Sequence, residues 1–220
     1  MLLWFDVSPE AVAEHDHWHT HEHLPERLSI PGFKRGSRWI AASGSPRYFV
    51  MYEVADTGVL ASRPYLDRLN NPTPWTANMM PAYRGMTRGL CSVTASSGLG
   101  VGHAALTIRL APALGAEAAL REWIANRLPE MASQPGLVGA RLFESAVAPS
   151  MTAEQRIRGK DSGVEWVLLV TGYDEESVGA LKDRELSNAE LARQGAAGRS
   201  IPLVHRLAVT LTDREASRGV

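Results

Sequence analysis

A nine-residue motif occurs twice in this chain, and the repetition limits the fold more than any other feature. Leu24-Pro25-Glu26-Arg27-Leu28-Ser29-Ile30-Pro31-Gly32 lies over Leu128-Pro129-Glu130-Met131-Ala132-Ser133-Gln134-Pro135-Gly136 at a constant offset of 104, with six of nine positions identical. Self-similarity of this kind must be settled before any element is assigned. Each copy follows a helical stretch carrying a tryptophan, Trp18 or Trp123, and leads into an extended segment. An offset of 104 in 220 residues predicts two versions of one unit.

The flanking elements repeat as well. Leu2 to Val7 reads as a strand and Pro9 to about His23 as a helix, followed by strands Phe33 to Ala42 and Tyr48 to Ala55. A helical region from Val59 to Tyr83, broken near Asn70-Asn71-Pro72-Thr73-Pro74, precedes a strand from Met86 to Ala95; Ser96 to Gly100 reads as a linker. The second half offers strand Ala104 to Ala111, helix Gly115 to Ala132, strands Val138 to Ala146 and Trp166 to Tyr173, helix Glu176 to Gln194 and strand Leu203 to Thr212. Both halves spell β-α-β-β-α-β, the split βαβ of the ferredoxin-like fold. The expected domains are residues 1–96 and 101–212, with 213–220 a frayed tail.

Strand composition predicts how the halves meet. Leu3, Phe5 and Val7 oppose Leu2 and Trp4, and Trp166, Leu168 and Val170 oppose Val167 and Leu169. Strands apolar on both faces need cover on both. Helices cover one face, and the other half's sheet is expected to cover the second. The fold class expected is therefore α+β, two tandem ferredoxin-like repeats packed sheet to sheet as an α/β barrel within one chain. A monomer with this internal pseudo-dimer and a homodimer both remain open.

Composition narrows the function classes. The 23 basic and 24 acidic residues give a net charge of −1, so no overall positive field exists to hold a nucleic-acid backbone or an anionic membrane. No apolar run reaches the roughly 18 residues of a membrane span, and Met1 to Asp6 lacks the basic flank of a signal peptide. A cytoplasmic protein with a small-molecule ligand is expected, without nucleic-acid or membrane partners. The lone cysteine, Cys91, cannot make an internal disulfide and reads as a buried, inert thiol.

The run Trp18…Glu22-His23-Leu24-Pro25-Glu26-Arg27…Pro31-Gly32-Phe33 resembles the first helix and second strand of dimeric α/β-barrel proteins, the EthD-like group above all. Asn71-Pro72-Thr73-Pro74-Trp75-Thr76, Met80-Pro81 and Arg84 resemble a segment of bacterial members. The likeness covers about residues 1–90 well and 100–212 weakly. It implies the fold strongly and function weakly, because the superfamily includes monooxygenases, isomerases and haem enzymes. The function it implies is a cofactor-independent monooxygenase or isomerase acting on an aromatic or polyketide-like small molecule. The second half departs from the motif, with Asn126 and Arg127 in the slots of Glu22 and His23, so the site is expected once.

Five of seven histidines fall between residues 15 and 23. At about 100° per residue they divide into two faces. Ala11, Val12 and Trp18 mark the inner side; His15, His19 and Glu22 fall with them and His23 at their edge, whereas His17 and His21 face solvent with Glu14. The inner spacing suits a metal held by His15, His19 and Glu22, or a general base near neutral pH. Haem is a further alternative on the same face, as is a protein that binds its ligand without turnover. His23 precedes Leu24-Pro25, where proline disfavours helix, and is expected at a helix end facing the pocket as the catalytic acid/base. Trp18, His19, Trp75 and Arg38 are the expected substrate-binding residues: aromatics for a flat apolar ligand, arginine for a carboxylate or phenolate. Trp39, Tyr48, Tyr52, Arg35 and Arg88 share those properties; for Arg35, Arg38 and Arg88 the alternative is strand-edge solvation or pairing with Glu53. Met151 to Gly163, with Arg156, Arg158, Lys160 and Asp161, is an insertion between strands, read as decoration or a lid.

Overall fold

The computed structural model describes residues 1–146, 157 and 161–218. In strand β1, Leu2–Val7, the expected alternation is observed: Leu3, Phe5 and Val7 enter one core cluster and Leu2 and Trp4 another. The chain continues as a 3-10 turn, Pro9–Ala11, helix α1, Val12–Trp18, a π-helical turn, His19–His23, and helix α2, Leu24–Leu28. Strands β2, Phe33–Ala41, and β3, Tyr48–Val54, come next. Helices α3, Arg63–Asn70, and α4, Pro74–Met79, are N-capped by Ser62 and Thr73, whose hydroxyls accept from the backbone N–H of Tyr65 and Thr76. Strands β4, Tyr83–Gly89, and β5, Cys91–Gly98, are separated by Leu90 alone.

The second half comprises β6, Ala104–Pro112; α5, Glu117–Ser133; β7, Leu137–Ser145; β8, Trp166–Gly172; α6, Glu175–Ala180; α7, Asn188–Arg193; and the long β9, Ala196–Thr212. One nine-stranded sheet runs β4-β1-β3-β2-β9-β6-β8-β7-β5, with every ladder antiparallel. The order β4-β1-β3-β2 in one half matches β9-β6-β8-β7 in the other, both ferredoxin-like. Two exchanges join them: β9 pairs with β6 through Arg206 and with β2 from His205 onward, and β5 pairs with β7. Among the described residues the ladder does not close. Its end strands β4 and β5 are linked through Leu90 instead of pairing.

The sheet packs against itself. Leu2, Trp4, Trp39, Phe49 and Met51 from one half meet Ala105, Phe143, Val167 and Leu169 from the other. Trp4, Phe49 and Trp39 stack at centroid distances of 5.0 and 5.1 Å. Helices cover the outer face of each half over separate cores.

The repeated Pro-Gly has a conformational cause. Gly32 and Gly136 end the first helix-to-strand connection of each half at φ +98° and +87°. A Cβ there would stand 2.5 Å from Val59 Cγ2 or 2.3 Å from Ser177 Oγ. Left-handed strain and the clash together set the expected cost of Gly136→Ala at about 2 kcal/mol, read as a lower urea midpoint at unchanged slope.

Three expectations are corrected. Ser96–Gly98 is strand, because its ladder to Gly139–Arg141 overrides the flexible composition. Residues 196–202 are also strand, paired with β6. Asp213–Ala216 forms a helical turn, α8, held by a Thr212–Glu215 capping box, and Ala216 is buried. The insertion from Met151 to Gly163 lies outside the described residues except for Ile157 and Asp161–Gly163. Among the described residues, no helix is long and apolar enough to cross a membrane.

Candidate functional site: a cavity beneath a π-helical turn

The helix after β1 does not end before Pro25. Leu24 stays helical at φ −62°, ψ −51°, and its N–H donates to the carbonyl of His19, five residues back. Pro25 then supplies no N–H, so the hydrogen-bond register returns to α where no donor must be placed. The extra residue in this turn rotates the downstream helix about its axis. Positions 18 and 23 would stand about 140° apart on a straight α-helix. Here their ring centroids lie 4.4 Å apart. Single π turns recur at functional sites.

His15, His19 and His23 form a buried file, with successive ring centroids 5.4 Å apart. His17 and His21 are exposed on the opposite side, 4.4 Å apart. Glu22 does not join the file. Its Oε1 accepts from Trp18 Nε1 at 3.0 Å, Thr73 Oγ1 at 2.6 Å and Thr76 Oγ1 at 3.3 Å, which clamps the α3–α4 loop to the π turn. The expected metal set His15, His19 and Glu22 is therefore not assembled, and among the described residues no group of three His, Cys, Asp or Glu is placed to hold a metal ion. Haem does not fit the file either. The cavity that His19 and His23 line holds only about 40 Å3, far too little for a macrocycle.

Between this file and the sheet lies a narrow cavity of about 40 Å3. His19, His23 and Arg27 line it from the helix, Phe5 and Tyr52 from the sheet, and Met80, Met86, Tyr83 and Arg88 close it. At roughly 10–15 Å3 per water, this is room for about three waters. A ring-sized ligand must displace Met80 and Met86, whose unbranched side chains repack readily. His19 is 2% exposed, and its Nδ1 has no hydrogen-bond partner. Burial, reinforced by His23, His15 and two arginines, holds its pKa well below the usual imidazole value, so the ring is neutral. Arg27 is buried and lies 3.2 Å from Glu26. Arg88 Nη2 donates to the Tyr65 hydroxyl at 3.2 Å.

Of the residues expected to bind substrate, His19 alone lines the cavity. Trp18 is fully buried behind it, packed against His23. Arg38 reaches from β2 to the carbonyl of Asp16, the hydroxyl of Thr20 and, at 3.6 Å, the carboxylate of Asp16, so it anchors α1. Trp75 lies outside, its indole N–H donating to Glu14 at 2.7 Å and its ring 5.4 Å from His17. His23, the expected acid/base, does line the cavity. Sequence reasoning misses Arg27, although it continues the four-residue spacing of His19 and His23. The slots of His19 and His23 in the second half hold Trp123 and Arg127, which stack as a cation–π pair at 4.9 Å over an apolar core. Cys91 is half-buried, and burial pushes its thiol up to about 11.

No known family model matches the chain, and no curated protein matches it in sequence. Solved structures do match its fold. An anthrone oxidase-like protein aligns at TM-score 0.68 and 12% identity, covering 98% of this chain and 92% of that one. A candidate monooxygenase from Fusobacterium nucleatum aligns at 0.59 and 10%, covering 96% and 92%. A protein assigned as a chlorite dismutase aligns at 0.55 and 13%, covering 94% and 93%. None of these three is described as EthD-like, so that narrower likeness rests on the sequence motif. At such identities the match establishes the fold alone, and the fold is the ferredoxin-like α/β architecture these proteins share.

Proposed function

We propose that this protein is a cofactor-independent monooxygenase acting on an aromatic or polyketide-like C–H acid bound in the cavity beneath the π turn. The observation that carries the reading is His19: a buried neutral imidazole with an unpartnered Nδ1, facing a cavity that also holds two arginines. His19 takes a proton from a carbon activated by a neighbouring carbonyl. Arg88, with Arg27, holds the resulting phenolate or enolate oxygen, and His23 serves beside His19 as the acid/base partner. The electron-rich anion then gives its electrons to dioxygen. Overall, the substrate methylene becomes a carbonyl, one oxygen atom of dioxygen enters the product, and the other leaves as water with the two methylene hydrogens. The anthrone oxidase-like and monooxygenase neighbours support this choice of chemistry by analogy of fold.

Oxygen uptake with a flat hydroaromatic ketone such as anthrone, at one dioxygen per ketone oxidised, tests the reading. His19→Ala is expected to lower kcat/KM about 100-fold or more. Solvent deuterium entering the substrate without oxygen uptake would instead mark an isomerase on the same base. Equal rates in wild type and His19→Ala would sink both.

A further inference from the structure

One wall of the cavity connects to water through a line of hydrogen bonds. Tyr83 lines the cavity, and its hydroxyl lies 3.3 Å from His15 Nε2. His15 Nδ1 lies 3.4 Å from Asp16 Oδ1. The His15 side chain has no exposed surface, whereas that of Asp16 is 30% exposed. A buried tyrosine, a fully buried imidazole and a part-exposed carboxylate therefore stand in series from cavity to solvent. One tautomer satisfies both contacts: Nδ1–H donating to Asp16, and bare Nε2 accepting from the Tyr83 hydroxyl.

We infer that Tyr83, His15 and Asp16 form a proton relay between the cavity and solvent. This rests on the reading that the cavity holds a ligand whose protons move. The ligand's proton passes to the Tyr83 oxygen as the Tyr83 hydroxyl proton passes to His15 Nε2. The Nδ1 proton then goes to the Asp16 carboxylate, which releases it to water. One proton enters and one leaves, and no electron is transferred. Run backwards, the same chain delivers a proton to the cavity.

The groups around His15 suit a carrier that does not hold its charge. Its ring packs on Phe5, Trp18, His19, Tyr48 and Tyr83. Burial keeps its pKa below the usual imidazole value; the Asp16 carboxylate works the other way, and Arg38 and Arg47 add to the lowering. Asp16 stays ionised: burial raises its pKa, but the hydrogen bond to His15 and the Arg38 charge outweigh that. Arg38, which grips the backbone of Asp16 and the Thr20 hydroxyl, holds the outer end in place.

The test has two readouts. Nitrogen-15 spectra of the free protein are expected to show His15 as the Nδ1–H tautomer, with its Nε2 resonance moving in Tyr83→Phe. An Nε2–H tautomer overturns the relay. Next, 4-nitrophenol is bound to saturation and the protonation of the bound probe is monitored after a pH jump. Tyr83→Phe, which keeps the ring, and His15→Asn are each expected to slow that relaxation about 10- to 100-fold. Relaxation at the wild-type rate in both variants, with the probe bound, overturns the relay and leaves the cavity reading standing. Failure of wild type to bind any phenolic probe overturns the cavity reading, and the relay with it.

Discussion

Trp18→Ala is expected to destabilise the protein by about 3–5 kcal/mol, the range for removing a large buried aromatic. The indole is fully buried. Its ring lies 4.4 Å from His23, 5.8 Å from His15 and 5.9 Å from His19, so its loss opens a void along the whole histidine file. Its N–H is also one of three donors on Glu22, the carboxylate that ties the α3–α4 loop to the π turn. Trp18→Phe separates these contributions. It keeps most of the packing and loses the hydrogen bond, at an expected cost of about 1–3 kcal/mol for a bond to a charged group. Urea unfolding of the two variants reads both values. A cost below about 1 kcal/mol for Trp18→Ala would mean that the indole does not hold the turn in place.

Acidification from pH 7 to 4 is the second large effect expected. His205, on β9, is fully buried, 5.4 Å from Phe49, and burial pushes its pKa down to about 4. The unfolded chain titrates this group near 6.5. Between the two values the unfolded state binds the proton and the native state does not, so stability falls as pH falls. The contribution is fully present above about pH 6.5 and fully lost by about pH 4, amounting to about 3 kcal/mol. His19 and His15, whose pKa values burial also lowers, act in the same direction. The urea midpoint should therefore drop steeply over this window, and less steeply in His205→Leu. Identical slopes for wild type and His205→Leu would contradict the burial assigned to this ring.

Much of the fold is legible in the residues because strands such as Leu2–Val7 and Trp166–Gly172 carry two apolar faces that admit few packings. The candidate site is less legible, and one hydrogen-bond register explains most of the gap. A 100° periodicity sorts His15, His19 and His23 to the buried side and His17 and His21 to solvent correctly. It cannot reveal that the turn from His19 to His23 is π, because no side chain announces an i→i+5 bond. Ending the helix at Pro25 takes Arg27 off the face it shares with His19 and His23. Glu22 groups with the histidines by periodicity because its partners Thr73 and Thr76 lie more than fifty residues away. Arg38 reads as a ligand anchor because the contacts that occupy it, with Asp16 and Thr20, cross from strand to helix. The strand at 196–202 reads as a loop until β6 pairs with it.

The central claim is that a small aromatic ligand binds beneath the π turn, against His19. The most direct measurement is the nitrogen-15 histidine spectrum of the protein titrated with a flat phenol. The account predicts saturable movement of the His19 and His23 ring resonances, with those of exposed His17 and His21 unmoved, and loss of that binding in His19→Ala. Movement confined to His17 and His21, or binding that survives His19→Ala at unchanged affinity, would contradict it.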